Sequence, residues 1–136
     1  MRYLLDVNAL IALSFIEHQF HRRVGMWVRT LGEEGSSELA ICSIAELGVI
    51  RIVVRAQQYG FTVLQARAVL MRLKGSSTVD FTFISDDHDV SRLPGWVRTP
   101  KQITDGHLLQ LARANAAVLA TLDRKIPGAF LIPESR

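Results

Sequence analysis

The sequence predicts a single α/β domain spanning residues 1–136, a three-layer α/β/α sandwich around a mainly parallel sheet. Three observations predict it. Short apolar segments alternate with longer segments of helical period along the whole chain, the order expected of a parallel sheet covered on both faces. The segments "YLLDV" (3–7) and "LAIC" (39–42) are apolar in near-continuous runs, as buried strands are. No internal repeat, low-complexity tract or linker divides the 136 residues, a length that suits one domain with a substantial core.

The elements follow in order. "YLLDV" is too short for a helix and reads as the first strand, after which Asn8 is placed to cap a helix through Phe15. From His18 a second helical pattern sets Val24, Trp27, Val28 and Leu31 on one face at offsets of three and four. "GEEGSSE" (32–38) reads as a loop, and "LAIC" as the second strand. Ser43 and Glu46 have capping-box spacing for a helix running to about Tyr59, which Gly60 would end. Thr62 and Gln65 repeat that spacing for a helix carrying Leu70 and Leu73 and stopping near Gly75. "VDFTFIS" (79–85) alternates polar and apolar residues, the pattern of a half-buried or edge strand, and "DDHDVSRLPGW" follows as irregular chain. A helix beginning at Pro100 or Thr104 carries Leu108, Leu111 and Ala112; "AVLATLD" (117–123) and "AFLIP" (129–133) are the last strands.

Composition bounds the function classes. Hydrophobic residues make up 49% and charged residues 21%, ordinary for a globular protein. Cys42 is the only cysteine, which excludes an internal disulfide and a Cys-rich zinc site and suits a reducing compartment. Arg2 followed by apolar residues imitates a secretory signal, but Asp6 and Asn8 interrupt it. No apolar run approaches bilayer length. The expectation is a cytoplasmic protein with no membrane contact. A net charge of +3 permits a polyanionic partner, although the basic residues are scattered as on any basic surface.

The informative residues are acids. Asp6 sits inside an apolar segment, where an unpaired carboxylate is costly and needs donors, a counter-charge or a metal ion. In open parallel sheets, ligand sites gather outside the carboxyl ends of the strands. Asp6 and Asp123 end strands at that edge, Glu46 opens the helix after the second strand, and Asp105 stands near the start of the helix before "AVLATLD". Brought together, four carboxylates repel one another unless a cation lies among them, and hard ions such as Mg²⁺ take oxygen ligands. Each acid also has an ordinary alternative: Glu46 and Asp105 as helix-start residues, Asp123 as a turn residue.

"YLLDVNALIAL", "CSIAELGVIR", "ITDGHLLQLA" and "AVLATLD", in this order and spacing, resemble the acidic motifs of PIN-domain ribonucleases, and more specifically those of VapC-type toxins of bacterial toxin–antitoxin pairs. The likeness runs from Arg2 to Pro133. It implies Mg²⁺- or Mn²⁺-dependent cleavage of RNA, a homodimer and a cognate antitoxin encoded alongside. By motif position Asp6, Glu46 and Asp105 would be the core metal ligands, Asp123 the fourth acid, and Asn8 and Thr104 the small polar residues beside the first and third acids. Metal held there could lower the pKa of a bound water for in-line attack on a phosphodiester.

Other readings compete. A metal-free ribonuclease would use histidines for general acid–base work. His18 and His21 share a helix face by spacing, and His107 faces away from Asp105; each reads as a surface residue. "DDHD" (86–89) packs three acids and an imidazole together but reads as a solvated connection, since adjacent residues seldom converge on one ion. A haloacid-dehalogenase-type phosphatase needs an Asp where Asn8 stands. Two alternatives stay open: a non-catalytic RNA- or protein-binding module, against which the intact carboxylates argue because a passive RNA binder gains nothing from an acidic pocket, and a PIN nuclease without a toxin role.

Overall fold

The computed structural model describes residues 1–76 and 79–134. Strand β1 (Arg2–Leu5) lies at the centre of a five-stranded sheet with β2 (Glu38–Cys42), β3 (Phe81–Ile84), β4 (Val118–Thr121) and β5 (Phe130–Leu131). The order is β3-β2-β1-β4-β5 and every neighbouring pair is parallel. Helices α1 (Val7–Ser14) and α2 (His21–Glu34) join β1 to β2, α3 (Ser43–Arg55) and α4 (Val63–Lys74) join β2 to β3, and α5 (Ile103–Ala114) precedes β4. Right-handed crossovers in this order set α1–α4 against one face and α5 against the other, which gives the three layers.

The central strands are buried because helices cover both of their faces. Leu4, Leu5, Leu39 and Ala40 are inaccessible to solvent, as are Leu108 and Leu111 of α5. Tyr3 extends this core laterally, its ring 5.0 Å from that of Trp27 on α2 and 5.1 Å from that of Phe130 on β5. β3 is an edge strand, which explains its alternation: Phe83 is exposed and Ile84 buried. Among the described residues no helix is long and apolar enough to cross a membrane.

Local chemistry moves several boundaries from those expected. Asp6, not Asn8, caps α1: its backbone is extended and its carboxylate accepts the Ala9 N–H at 2.8 Å. Helix α2 runs through Gly32, Glu33 and Glu34, so the predicted loop shrinks. The stop is Gly35, left-handed at φ 74°, whose N–H returns to the Leu31 carbonyl. The Ser43–Glu46 capping box does not form. β2 passes into α3 with no intervening residue, so Ser43 is already helical and Cys42 holds the cap position. α3 ends at Arg55, short of Tyr59, whose ring instead packs edge-on against Phe15 at 5.7 Å. The Thr62–Gln65 box does form, with both reciprocal bonds. A 3₁₀ turn (Pro100–Gln102) leads into α5, and another (Val90–Arg92) interrupts the irregular chain after β3.

One glycine is required by a close approach. A Cβ on Gly106 would stand 2.2 Å from Val97 Cγ2 and 3.3 Å from Pro94 Cδ. The first turn of α5 therefore lies directly under the Pro94–Val97 segment, and this packing fixes where Asp105 sits.

Candidate active site

All five strands point the same way, so their carboxyl ends share one edge, and Asp6 stands at its middle. Its side chain is 3% exposed and hydrogen-bonded at both oxygens. One accepts the Ala9 N–H; the other accepts the Thr121 hydroxyl at 2.5 Å. Burial still pushes its carboxyl up, to about 6, against those two hydrogen bonds and with the charges of Asp105 and Asp123 adding to the rise. Burial raises Asp105 as well, again with Asp123 contributing. Asp123 follows β4, its own N–H donating to the Thr121 hydroxyl and its carboxylate accepting the Lys125 N–H. Three of the four expected acids thus lie within electrostatic reach of one another.

Glu46 has a different partner. Its carboxylate is ion-paired with Lys74 Nζ, from the end of α4, at 2.8 Å, and Lys74 also lies over the Phe83 ring. Asp86, just beyond β3, is held by His107 Nε2 and accepts the His88 N–H. Burial works against ionisation of Asp86, but His107, the His88 N–H and the charges of both imidazoles outweigh it and hold the carboxyl below the usual range. The Cys42 thiol, raised mainly by burial, also feels Asp86 and Glu46, so these two acids flank the end of β2.

This corrects the expectation for "DDHD". Asp87 is 96% exposed at its side chain, but the side chains of Asp86 and His88 are 15% and 6% exposed. His107 is likewise a partner of Asp86, not a surface residue. His18 and His21 are also engaged: the His18 ring accepts the Phe20 N–H, and the His21 ring bonds the Ala12 carbonyl. Asn8 and Asp123 line a cavity of about 400 Å³ with His18, Gln19 and Phe20, whereas Thr104 lines another beside His107.

The sequence reasoning missed Thr121 and Lys74, and set Asp86 aside with the rest of "DDHD". Thr121 carried a signal, a hydroxyl inside the apolar run "AVLATLD", the same oddity that picks out Asp6. Lys74 carried none, and the acidic run around Asp86 did not reveal its partner, because both roles arise from chain crossings at the sheet edge.

The donor set is hard oxygen, the kind Mg²⁺ and Mn²⁺ take, and a cation would offset both the burial that chiefly raises Asp6 and Asp105 and the repulsion that adds to it. Among the described residues no group of three or more His, Cys, Asp or Glu side chains is arranged to hold a metal ion. The acids are neighbours, not a formed ligand cage.

No protein-family model matches the chain. Several ribonucleases of Mycobacterium tuberculosis do. It is 32% identical to Ribonuclease VapC38 over 98% of this chain and 91% of that protein. It is also 32% identical to Ribonuclease VapC44 over 93% and 89%, and to Ribonuclease VapC29 over 90% and 86%. Among solved structures, the fold matches that of VapBC2 from Rickettsia felis, determined bound to a DNA fragment from their promoter. That match has a TM-score of 0.60 at 17% identity and covers 96% of this chain and 97% of that one. It also matches M. tuberculosis VapC20, a sarcin-ricin loop cleaving toxin, with a TM-score of 0.62 at 13% identity over 98% and 99%. With near-complete coverage at 32% identity and the shared fold, the chain belongs to the VapC family of PIN-domain ribonuclease toxins.

Proposed function

We propose that this protein is an endoribonuclease, the toxin of a type II toxin–antitoxin pair, and that it hydrolyses RNA phosphodiesters with Mg²⁺ or Mn²⁺ held among Asp6, Glu46, Asp105 and Asp123. The observation that carries the metal reading is Asp6: a buried carboxylate raised to about 6 in the company of Asp105 and Asp123. A site built from such mutually repelling acids is stabilised by a cation.

When bound, the ion supplies a water of lowered pKa and neutralises charge on the phosphate and the leaving oxygen. The chain's own contribution is positional. The Ala9 N–H and the Thr121 hydroxyl fix both oxygens of Asp6, and Thr121 ties Asp6 to Asp123 through the Asp123 N–H. Lys74 engages Oε2 of Glu46, which leaves the other oxygen for a second partner. Asn8 and Thr104 flank the acids in two separate cavities, where small polar side chains suit contact with a phosphate or a water.

As partners we propose RNA as substrate, a cognate antitoxin of the VapB kind, by analogy with the Rickettsia felis pair, and a second copy of the chain as a homodimer. Exposed Ile52, Leu47, Val63, Leu64 and Met71 on α3 and α4 offer apolar surface to such partners. The deciding experiment treats mixed cellular RNA with purified protein and Mg²⁺ or Mn²⁺, with and without excess chelator. Cleavage is expected only with metal, and equal cleavage in chelator sinks the metal reading. Toxicity on expression, relieved by the neighbouring gene product, tests the toxin role separately.

A further inference from the structure

A cavity of about 380 Å³ opens beside the acids on the β3 side. Ile44, Val90, Leu93 and Ile103 form apolar walls, and His88 and His107 contribute their rings. The walls are chain neighbours of the candidate site. Ile44 stands two residues before Glu46, and Ile103 and Thr104 immediately precede Asp105. A nucleic-acid strand with one phosphate at the acids would therefore pass over this opening.

Two features distinguish it from a chance hollow. Val90 and Ile103 are 82% and 48% exposed, so its rim is apolar and uncovered. The His88 side chain is almost fully buried, yet its Nδ1 is the only buried side-chain polar atom among the described residues with no hydrogen-bond partner. Leaving such an atom unpaired is costly. The His107 ring is held by Asp86 and stands nearly perpendicular to that of His88, with centroids 6.4 Å apart. Asp89, also on the wall, accepts the Ser91 N–H and hydroxyl at Oδ1.

We propose that this cavity takes one unpaired nucleobase of the RNA, adjacent to the phosphate at the acids; this rests on the ribonuclease reading above. A base has apolar faces and a polar edge, which matches apolar walls with imidazoles among them. Single-stranded RNA is read in this way, with splayed bases stacked on rings that include histidine and bonded at their edges. The volume lies at the low end of the roughly 300–1,000 Å³ typical of small-molecule sites. Arg92 and Lys101 are exposed near the opening and form no ion pair among the described residues, which leaves them for the flanking phosphates.

The test is an NMR titration of the imidazole signals in the full chain, assigned with His88→Gln and His107→Gln, against nucleoside 5′-monophosphates, ribose 5-phosphate and N-acetyl-leucine amide. Saturable shifts of the His88 and His107 signals are expected with the nucleotides and not with the other two compounds. Ile103→Asp and Val90→Asp change exposed residues and should weaken nucleotide binding by about tenfold or more, the scale of losing one base contact. Equal shifts with ribose 5-phosphate would mean a phosphate site, and stronger shifts with the leucine amide a peptide site; either overturns the proposal. RNA cleavage measured on the same sample separates the two readings. A protein that binds bases without cutting RNA refutes the nuclease and not the pocket, whereas an active enzyme with unmoved imidazole signals refutes the pocket alone.

Discussion

The carboxyl edge of the sheet divides into two halves that treat their acids differently. On the β1–β4 side, Asp6, Asp105 and Asp123 act on one another, and no ion pair reaches them among the described residues; Asp6 and Asp105 are held above the usual carboxylate range. On the β2–β3 side each acid has a cationic or ionisable partner, Glu46 with Lys74 and Asp86 with His107. Position in the sheet accounts for the difference. β1 is central and its end is roofed by helices, so Asp6 is desolvated and has only neutral donors. β3 is an edge strand beside the end of α4, where long side chains can reach in from the rim. The two halves differ, then, in which needs something from outside the chain: the β1–β4 half carries unneutralised charge, and the β2–β3 half is already balanced.

The largest effect is expected at Asp6. Asp6→Ala is expected to lower RNA cleavage by more than about a hundredfold, beyond the usual cost of disturbing a residue that only supports a metal ligand. Parental activity in that variant would remove the β1–β4 half from the chemistry.

Stability should move the opposite way. Well below its ordinary value of 3.8, Asp6 is neutral in both the folded and unfolded chain. As pH rises the unfolded chain releases this proton first, since 3.8 is the ordinary value and about 6 the folded one. Asp6 therefore costs stability progressively between those values and fully above about pH 6, by roughly 3 kcal/mol. Asp86, held low, contributes stability above the ordinary carboxylate value and loses it as pH falls through its folded value. Asp6→Asn, which can keep the Ala9 bond, should make the metal-free protein more stable at pH 7.5 and flatten the loss between pH 4 and 6. Thermal melts at the two pH values, with and without Mg²⁺, measure this. If Asp6→Asn is less stable than the parent at pH 7.5, the charge on Asp6 is compensated within the chain and the division of the edge is wrong.

Gly106→Ala sharpens the account of how Asp105 is positioned. The added methyl meets Val97 and Pro94, so a loss of about 1–3 kcal/mol is expected by chemical denaturation. Cleavage should fall as the first turn of α5 shifts. An unchanged midpoint would show that the Pro94–Val97 segment does not hold that turn.

The smallest effect belongs to the balanced half. Glu46→Gln and Lys74→Met each break an ion pair whose side chains are 21% and 28% exposed, so a loss of about 1 kcal/mol or less is expected. Because no capping box involves Glu46, Glu46→Gln should lose this small amount and not gain stability. If Glu46 also serves the proposed metal, Glu46→Gln loses cleavage steeply while Lys74→Met keeps most of it. Equal activity losses in the two variants would assign Glu46 to the ion pair alone.

The layers were legible in the chain alone. Apolar runs such as "LAIC" can be satisfied only between two covering layers, and the alternation of "VDFTFIS" marked an edge because one face of β3 meets solvent. It also singled out Asp6, since a carboxylate in an apolar run conflicts with local chemistry and must be resolved by something distant. The boundaries of α3 were less legible: Ser43 and Glu46 have the spacing of a cap, but the chain enters the helix directly from β2 and leaves the cap position to Cys42. Which acids share a field followed from folding. Asp6 meets Thr121 across 115 positions of sequence, and Asp86 meets His107 across 21. Such partners are chosen by where strands end and helices cross, and a residue on one segment carries no local trace of the side chain that will face it from another.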